Sequence, residues 1–133
     1  MWLTGSCLSF LAGGAGYVLL ELLYRGRSHG CMFLCGGVCV ALIGMLNEFA
    51  PALPLSVQAL LGACIITGAE LVFGLAVNRS FAIWDYRALP HNFRGQICPQ
   101  FFGCWVILSP LAVLVDDALR ALPGAPLPHY VLF

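Results

Sequence analysis

The chain contains no lysine: its six basic residues are all arginine, and six acids bring the formal net charge to zero. Nothing in that balance points to nucleic acid, and arginine suits anchoring and bidentate anion contacts better than a diffuse polybasic tail. Charge of either sign is scarce at 9%, against roughly 25% in a soluble globular domain. Also missing are a GxxxxGK[ST] phosphate loop, an HExxH helix, a GxSxG elbow and a paired CxxC, so common soluble-enzyme chemistry has no foothold. A nucleotide-driven engine would be another polypeptide. No cofactor or metal is expected. His29 and His91 lack any recognised metal spacing, and the helical stripe of Cys31, Cys35 and Cys39 has no adjacent charge to hold thiolates in lipid. There is no internal repeat, low-complexity tract or heptad array.

What is present is apolar: 61% of residues, with a mean hydropathy of +0.93. The solvent for such a chain is lipid. Apolar runs of about 20 residues predict four spans, at 2–24, 31–46, 55–77 and 101–119. The second is short, and the fourth is interrupted by Pro110 and closes on Asp116 and Asp117. The first has no basic n-region and stays apolar beyond Ala12 to Gly16, so it reads as a retained helix. Connections this short predict a single all-α domain over 1–133, an integral membrane four-helix bundle. Six of the seven cysteines fall inside the spans and read as small packing residues. Gly36, Val40 and Gly44 share a face of span two, and Gly13, Gly16, Gly62 and Gly68 offer further points of close approach. Pro51 and Pro54 punctuate the turn from Asn47 to Pro54, and three prolines make the tail irregular.

Arg25 and Arg27 lie between spans one and two, and Arg79, Arg87 and Arg94 between spans three and four. The positive-inside rule puts both connections in the cytoplasm and both termini outside. Arg120 is the exception, with Asp116 and Asp117 beside it to neutralise it. In this topology Glu21 and Glu70 occupy the cytoplasmic half, about 5 and 10 Å from their helix ends at 1.5 Å per residue. Glu21 and Arg25 have the spacing of a helical ion pair. An acid at the depth of Glu70 needs a partner or a task. The candidate partners are Arg79, Arg87 and Arg94, or a helix–helix hydrogen bond that fixes the bundle; the candidate tasks are holding a cation, passing a proton or orienting a ligand with Glu21. Glu48, at the end of span two, reads as a solvated helix-end residue.

The segment from Arg79 to Pro99 is long for so compact a chain, predicting a structured cytoplasmic loop between helices 3 and 4. It carries Trp84, Asp85, Tyr86, Arg87, His91, Asn92, Arg94 and Gln96. Arg87 and Arg94 have the chemistry to clamp a phosphate or carboxylate. Trp84 and Tyr86 read as packed at headgroup level, Asn92 as bonded to its own backbone, and Pro90 and Gly95 as turns.

GYVLLELLY, GAELVFG, WDYRALPHNFRGQIC and FFGCW together resemble the bacterial family of type IV ABC-transporter-like, or CmpB-like, proteins, and more distantly the vertebrate transmembrane protein 229 family. The pattern is matched by Trp84, Asp85, Tyr86, Pro90, Asn92, Gly95, Ile97 and Cys98. It departs at Arg87, where a small polar residue is expected. The resemblance covers about Gly16 to Trp105 and implies transport. Three functions stay open. The first is a permease-like or ligand-binding membrane protein with a site among Glu21, Glu70, Trp84, Asp85, Tyr86, Arg87, His91, Asn92 and Arg94, working with membrane lipids and as a homo-oligomer or with a partner membrane subunit. The second is a membrane enzyme acting on lipid head groups, with His91 or Asp85 as acid or base. The third is an accessory scaffold.

Overall fold

The structure, a computed structural model, describes residues 2–50 and 52–133. Four helices run α1 (Trp2–Arg25), α2 (Gly30–Phe49), α3 (Leu55–Val77) and α4 (Pro99–Ala121), with no strand among the described residues. The expected spans recur within three residues at each end. The largest difference is at α2, which continues three residues past Leu46 into the expected turn. Pro51 lies outside the described residues.

Local chemistry sets the boundaries. Gly26, at φ +71°, ends α1 in a conformation that favours glycine. His29 caps α2, its Nδ1 accepting from the Cys31 N–H at 3.3 Å, so this histidine is a helix cap. Pro99 opens α4 at a position where its missing N–H is harmless. The start of α3 has no side-chain cap. Instead the C-terminal tail folds back, and the carbonyls of Val131 and Leu132 accept from the N–H groups of Leu55 and Ser56 at 2.6 and 3.2 Å. Tyr130 anchors that tail by donating to Asp117 at 2.7 Å. Helix α4 runs on through Pro110.

α1, α3 and α4 are each long and apolar enough to cross a membrane, whereas the apolar part of α2, Gly30–Leu46, is shorter. Polarity is arranged inside out: Leu11, Leu60, Val72 and Ile107 face outward while Ser9, Glu70, Ser109 and Asp116 are buried. That is the arrangement of a membrane protein.

Packing follows small residues. A side chain at Gly13 would strike Val40 and the Gly36 carbonyl, so α1 and α2 approach backbone to backbone. α2 touches all three other helices, α1 and α3 lie diagonally opposite, and the α1/α4 seam is the thinnest. Met32, Cys35, Ile43, Ala63 and Val113 fill the centre. The two arginine-bearing connections share one end of the bundle, where Arg25 Nη1 donates to the Ile83 carbonyl at 2.5 Å.

Candidate functional site

Glu70 sits on α3 with 1% of its surface exposed. Across the diagonal the Tyr17 hydroxyl of α1 donates to Oε1 at 2.7 Å, and from α4 Trp105 Nε1 donates to Oε2 at 3.1 Å. Three helices therefore meet at one carboxyl group. Their backbones do not all touch; the length of the Tyr17 side chain bridges α1 to α3. The expected arginine partners are elsewhere. Arg79 bonds the Leu75 carbonyl of its own helix, Arg87 holds Asp85, and Arg94 lies over the Phe93 ring. Glu21 pairs with Arg25 at 2.9 Å as the spacing predicts.

The segment 78–98 is a folded plug. Asn78 Nδ2 donates to the Trp84 carbonyl and to Gln96 Oε1, at 2.7 and 3.0 Å, while its Oδ1 accepts from the Ile83 N–H at 2.9 Å. Gln96 fits against Gly74, where any side chain would collide with it. Trp84 is 1% exposed and donates to the Gln96 carbonyl at 3.0 Å: the ring is part of the core. Tyr86 is buried too, stacked on Phe101 at 4.6 Å. Burial, and next the nearby Glu70 charge, push its phenol above the ordinary range. Asn92 clamps the turn as expected, donating to the Leu89 carbonyl at 2.8 Å and accepting from the Gly95 N–H at 2.9 Å.

Asp85, Arg87, His91 and Arg94 are exposed on the outer face of this plug. Asp85 and Arg87 form a two-point pair, with Nε to Oδ1 at 2.9 Å and Nη2 to Oδ2 at 2.7 Å. Those bonds, then the Arg87 N–H, bring the Asp85 carboxyl down to about 2. A clamp made of Arg87 and Arg94 would require Arg87 to leave Asp85. Among the described residues, no hydrogen bond or ion pair joins Glu70 to Asp85, Arg87, His91, Asn92 or Arg94. The structure thus brings Glu70 near Tyr86 and sets the exposed loop side chains apart.

A crevice of about 290 Å³ opens on the α1/α4 seam. It is lined by Cys39 and Ile43 of α2, Ile66 of α3, Gly16 and Tyr17 of α1, and Trp105 and Ala112 of α4. Two of the rings that line the crevice, Tyr17 and Trp105, are thus donors to Glu70.

A second buried polar cluster lies toward the other end of the bundle. Asp116, packed against Gly44, accepts from the Ser9 hydroxyl and from Arg120 Nε, the latter at 2.7 Å. This bears out Asp116 as a neutraliser of Arg120, at a buried position inside the last turns of α4. Sequence reasoning passed over Tyr17, Asn78 and Ser9. The legible signals were a tyrosine one turn before Glu21 and an asparagine directly after a membrane-length run.

No curated protein and no solved structure matches this chain. The family described as "Putative ABC-transporter type IV" matches residues 14–121, a stretch holding Tyr17, Glu70, the 78–98 plug and Trp105. That match covers most of the molecule, and the chain belongs to this family.

Proposed function

We propose that the chain is a permease-like, ligand-binding membrane subunit whose polar centre is Glu70. One observation carries the reading: an acid inside a membrane-length helix, held by neutral donors and in no ion pair among the described residues, lies beside an apolar crevice. An intramembrane acid without an ionic partner is expensive to retain and is a functional site by default. Because Tyr17 and Trp105 both wall the crevice and hold the carboxyl group, a guest pressing on either ring acts on the hydrogen bonds of Glu70. Glu21, Trp84 and Tyr86 complete the polar end. In this reading residues 1–133 act as one domain, together with a second copy or a partner membrane subunit. The plug faces the cytoplasm, with Asp85, Arg87, His91 and Arg94 on its free surface and Asn92 holding the turn between them, and both termini lie outside. Five of the six arginines support that orientation.

A second reading, an accessory scaffold, is favoured by the completeness of the Glu70 bonding. Native mass spectrometry of the detergent-purified protein separates the two. Glu70→Gln keeps an acceptor oxygen and removes the charge. The ligand-binding reading expects a non-protein mass on the wild type that the variant loses, with helix content and oligomeric state unchanged. A scaffold gives loss of fold and oligomer together, with no bound mass in either protein.

A further inference from the structure

The polar cluster around Arg120 borders a second hollow, of about 370 Å³, lined by Thr4, Gly5, Leu8, Glu48, Leu119, Arg120 and Pro123. It lies on the same α1/α4 seam as the apolar crevice. Leu8 of one hollow and Ala12 of the other are four apart on α1, as are Leu119 and Val115 on α4, so the two follow one another a helical turn apart. From Thr4 to Leu20 the seam runs about 24 Å at 1.5 Å per residue, most of the ~30 Å hydrocarbon thickness of a bilayer. One end is charged and the remainder is apolar.

The charged end carries both signs. Arg120 Nε is taken by Asp116, and Nη2 reaches Ser6 only at 3.4 Å. Nη1, which lies over Gly5, has no hydrogen-bond partner among the described residues. Glu48 Oε1 stands 3.7 Å from Arg120 Nε, too far for a hydrogen bond, and its side chain is 39% exposed. A guanidinium with a spare donor, beside a half-exposed carboxylate that it pairs with only loosely, at the rim of a hollow followed one helical turn on by an apolar crevice, complements a head that carries an anion and a cation on an apolar chain. Phosphate suits the guanidinium fork, and an ammonium suits Glu48.

We propose that the α1/α4 seam seats one membrane phospholipid with an amine-bearing phosphate head, its phosphate on Arg120, its ammonium on Glu48, and an acyl chain along the crevice to Tyr17 and Trp105. The inference rests on reading the crevice as a ligand seat and adds the class of its occupant.

The test uses the full chain in detergent, incubated separately with dioleoyl phosphatidylethanolamine and dioleoyl phosphatidylglycerol and analysed by native mass spectrometry. The expected result is one retained lipid per chain, with the ethanolamine lipid held at least fivefold more strongly. Glu48→Gln, at a half-exposed position, lowers that ratio to near one while leaving lipid bound. Gly16→Leu fills the crevice where a Cβ meets nothing within 4 Å, and reduces retention of both lipids at least fivefold. Gly68→Leu, equally free of neighbours and away from the seam, changes neither. Equal retention of the two lipids by the wild type overturns the headgroup assignment and leaves the ligand seat standing. Retention that Gly16→Leu does not touch, or a mass equal to a second copy of the chain that occupies the seam and excludes lipid, overturns the seat itself.

Discussion

Removing the Tyr17 hydroxyl isolates the contact that ties the diagonal of the bundle. Tyr17→Phe keeps the ring that walls the crevice and deletes only the donor 2.7 Å from Glu70. Polar contacts between membrane helices contribute about 0.6 kcal/mol on average and up to about 1.7, whereas hydrogen bonds to charged groups in proteins reach about 1.5–3. This bond is short, fully buried and joins two helices that otherwise do not touch. It belongs at the upper edge of the membrane range, about 1.5 kcal/mol, or roughly tenfold in the folding equilibrium. The assay is a double-mutant cycle of Tyr17→Phe with Glu70→Met, which retains the side-chain length and removes the acceptor. Unfolding is followed by circular dichroism as dodecyl sulfate is titrated into mixed micelles. A coupling of about 1.5 kcal/mol is expected; one within ordinary additivity, about 0.4 kcal/mol or less, refutes the idea that this bond fastens α1 to α3.

Three further outcomes follow from the same packing. Gly13→Val drives a side chain into Val40 and the Gly36 carbonyl and should destabilise by about 1–3 kcal/mol in the same titration, while Gly68→Val, with no neighbour to strike, should shift the midpoint little. Asp116→Asn deprives part-buried Arg120 of its closest carboxylate; breaking a buried pair costs about 3–5 kcal/mol, with the lower end expected because Arg120 is partly exposed and Glu48 remains nearby, and adding Arg120→Met should recover part of the loss. The Asp85 carboxyl, depressed from 3.8 to about 2 by Arg87, stabilises the loop turn above pH 3.8, and that contribution disappears as pH falls through about 2. Carbon-13 NMR titration of Asp85 should show this low midpoint, and Arg87→Gln should return it towards the ordinary value.

The spans were legible because a lipid solvent leaves little choice: runs such as Leu55 to Val77 have one stable form, and Pro54, Gly26 and Pro99 mark their ends. The shared end of the two arginine connections followed from the same alternation. What was not legible depends on which side chains fold over which. WDYR has the composition of an interfacial anchor, and only Asn78 and Gln96, meeting from opposite ends of the 78–98 segment, turn Trp84 inward. Asp116 and Asp117 looked like the end of a span because charge commonly is; the helix continues to Ala121 because Gly44 leaves room for one carboxylate and Ser9 with Arg120 satisfies it. Glu70 was found from its depth alone, and two kinds of partner stayed open for it, an arginine or a helix–helix hydrogen bond; no arginine reaches it. Instead a phenol and an indole meet it, and that choice keeps the membrane interior free of a buried cation at this point.

Fluorescence quenching by chain-brominated lipid tests most directly whether the ring that holds Glu70 is also open to the bilayer. In nanodiscs, with Trp2 replaced by Phe in every protein compared, the chain should be quenched through Trp105 at the crevice, with Trp84 shielded by burial. Filling the crevice with Gly16→Leu should remove that share of the quenching, and Gly68→Leu should leave it intact. Equal quenching in all three proteins would mean that no guest reaches Trp105 along the α1/α4 seam, and would contradict the account.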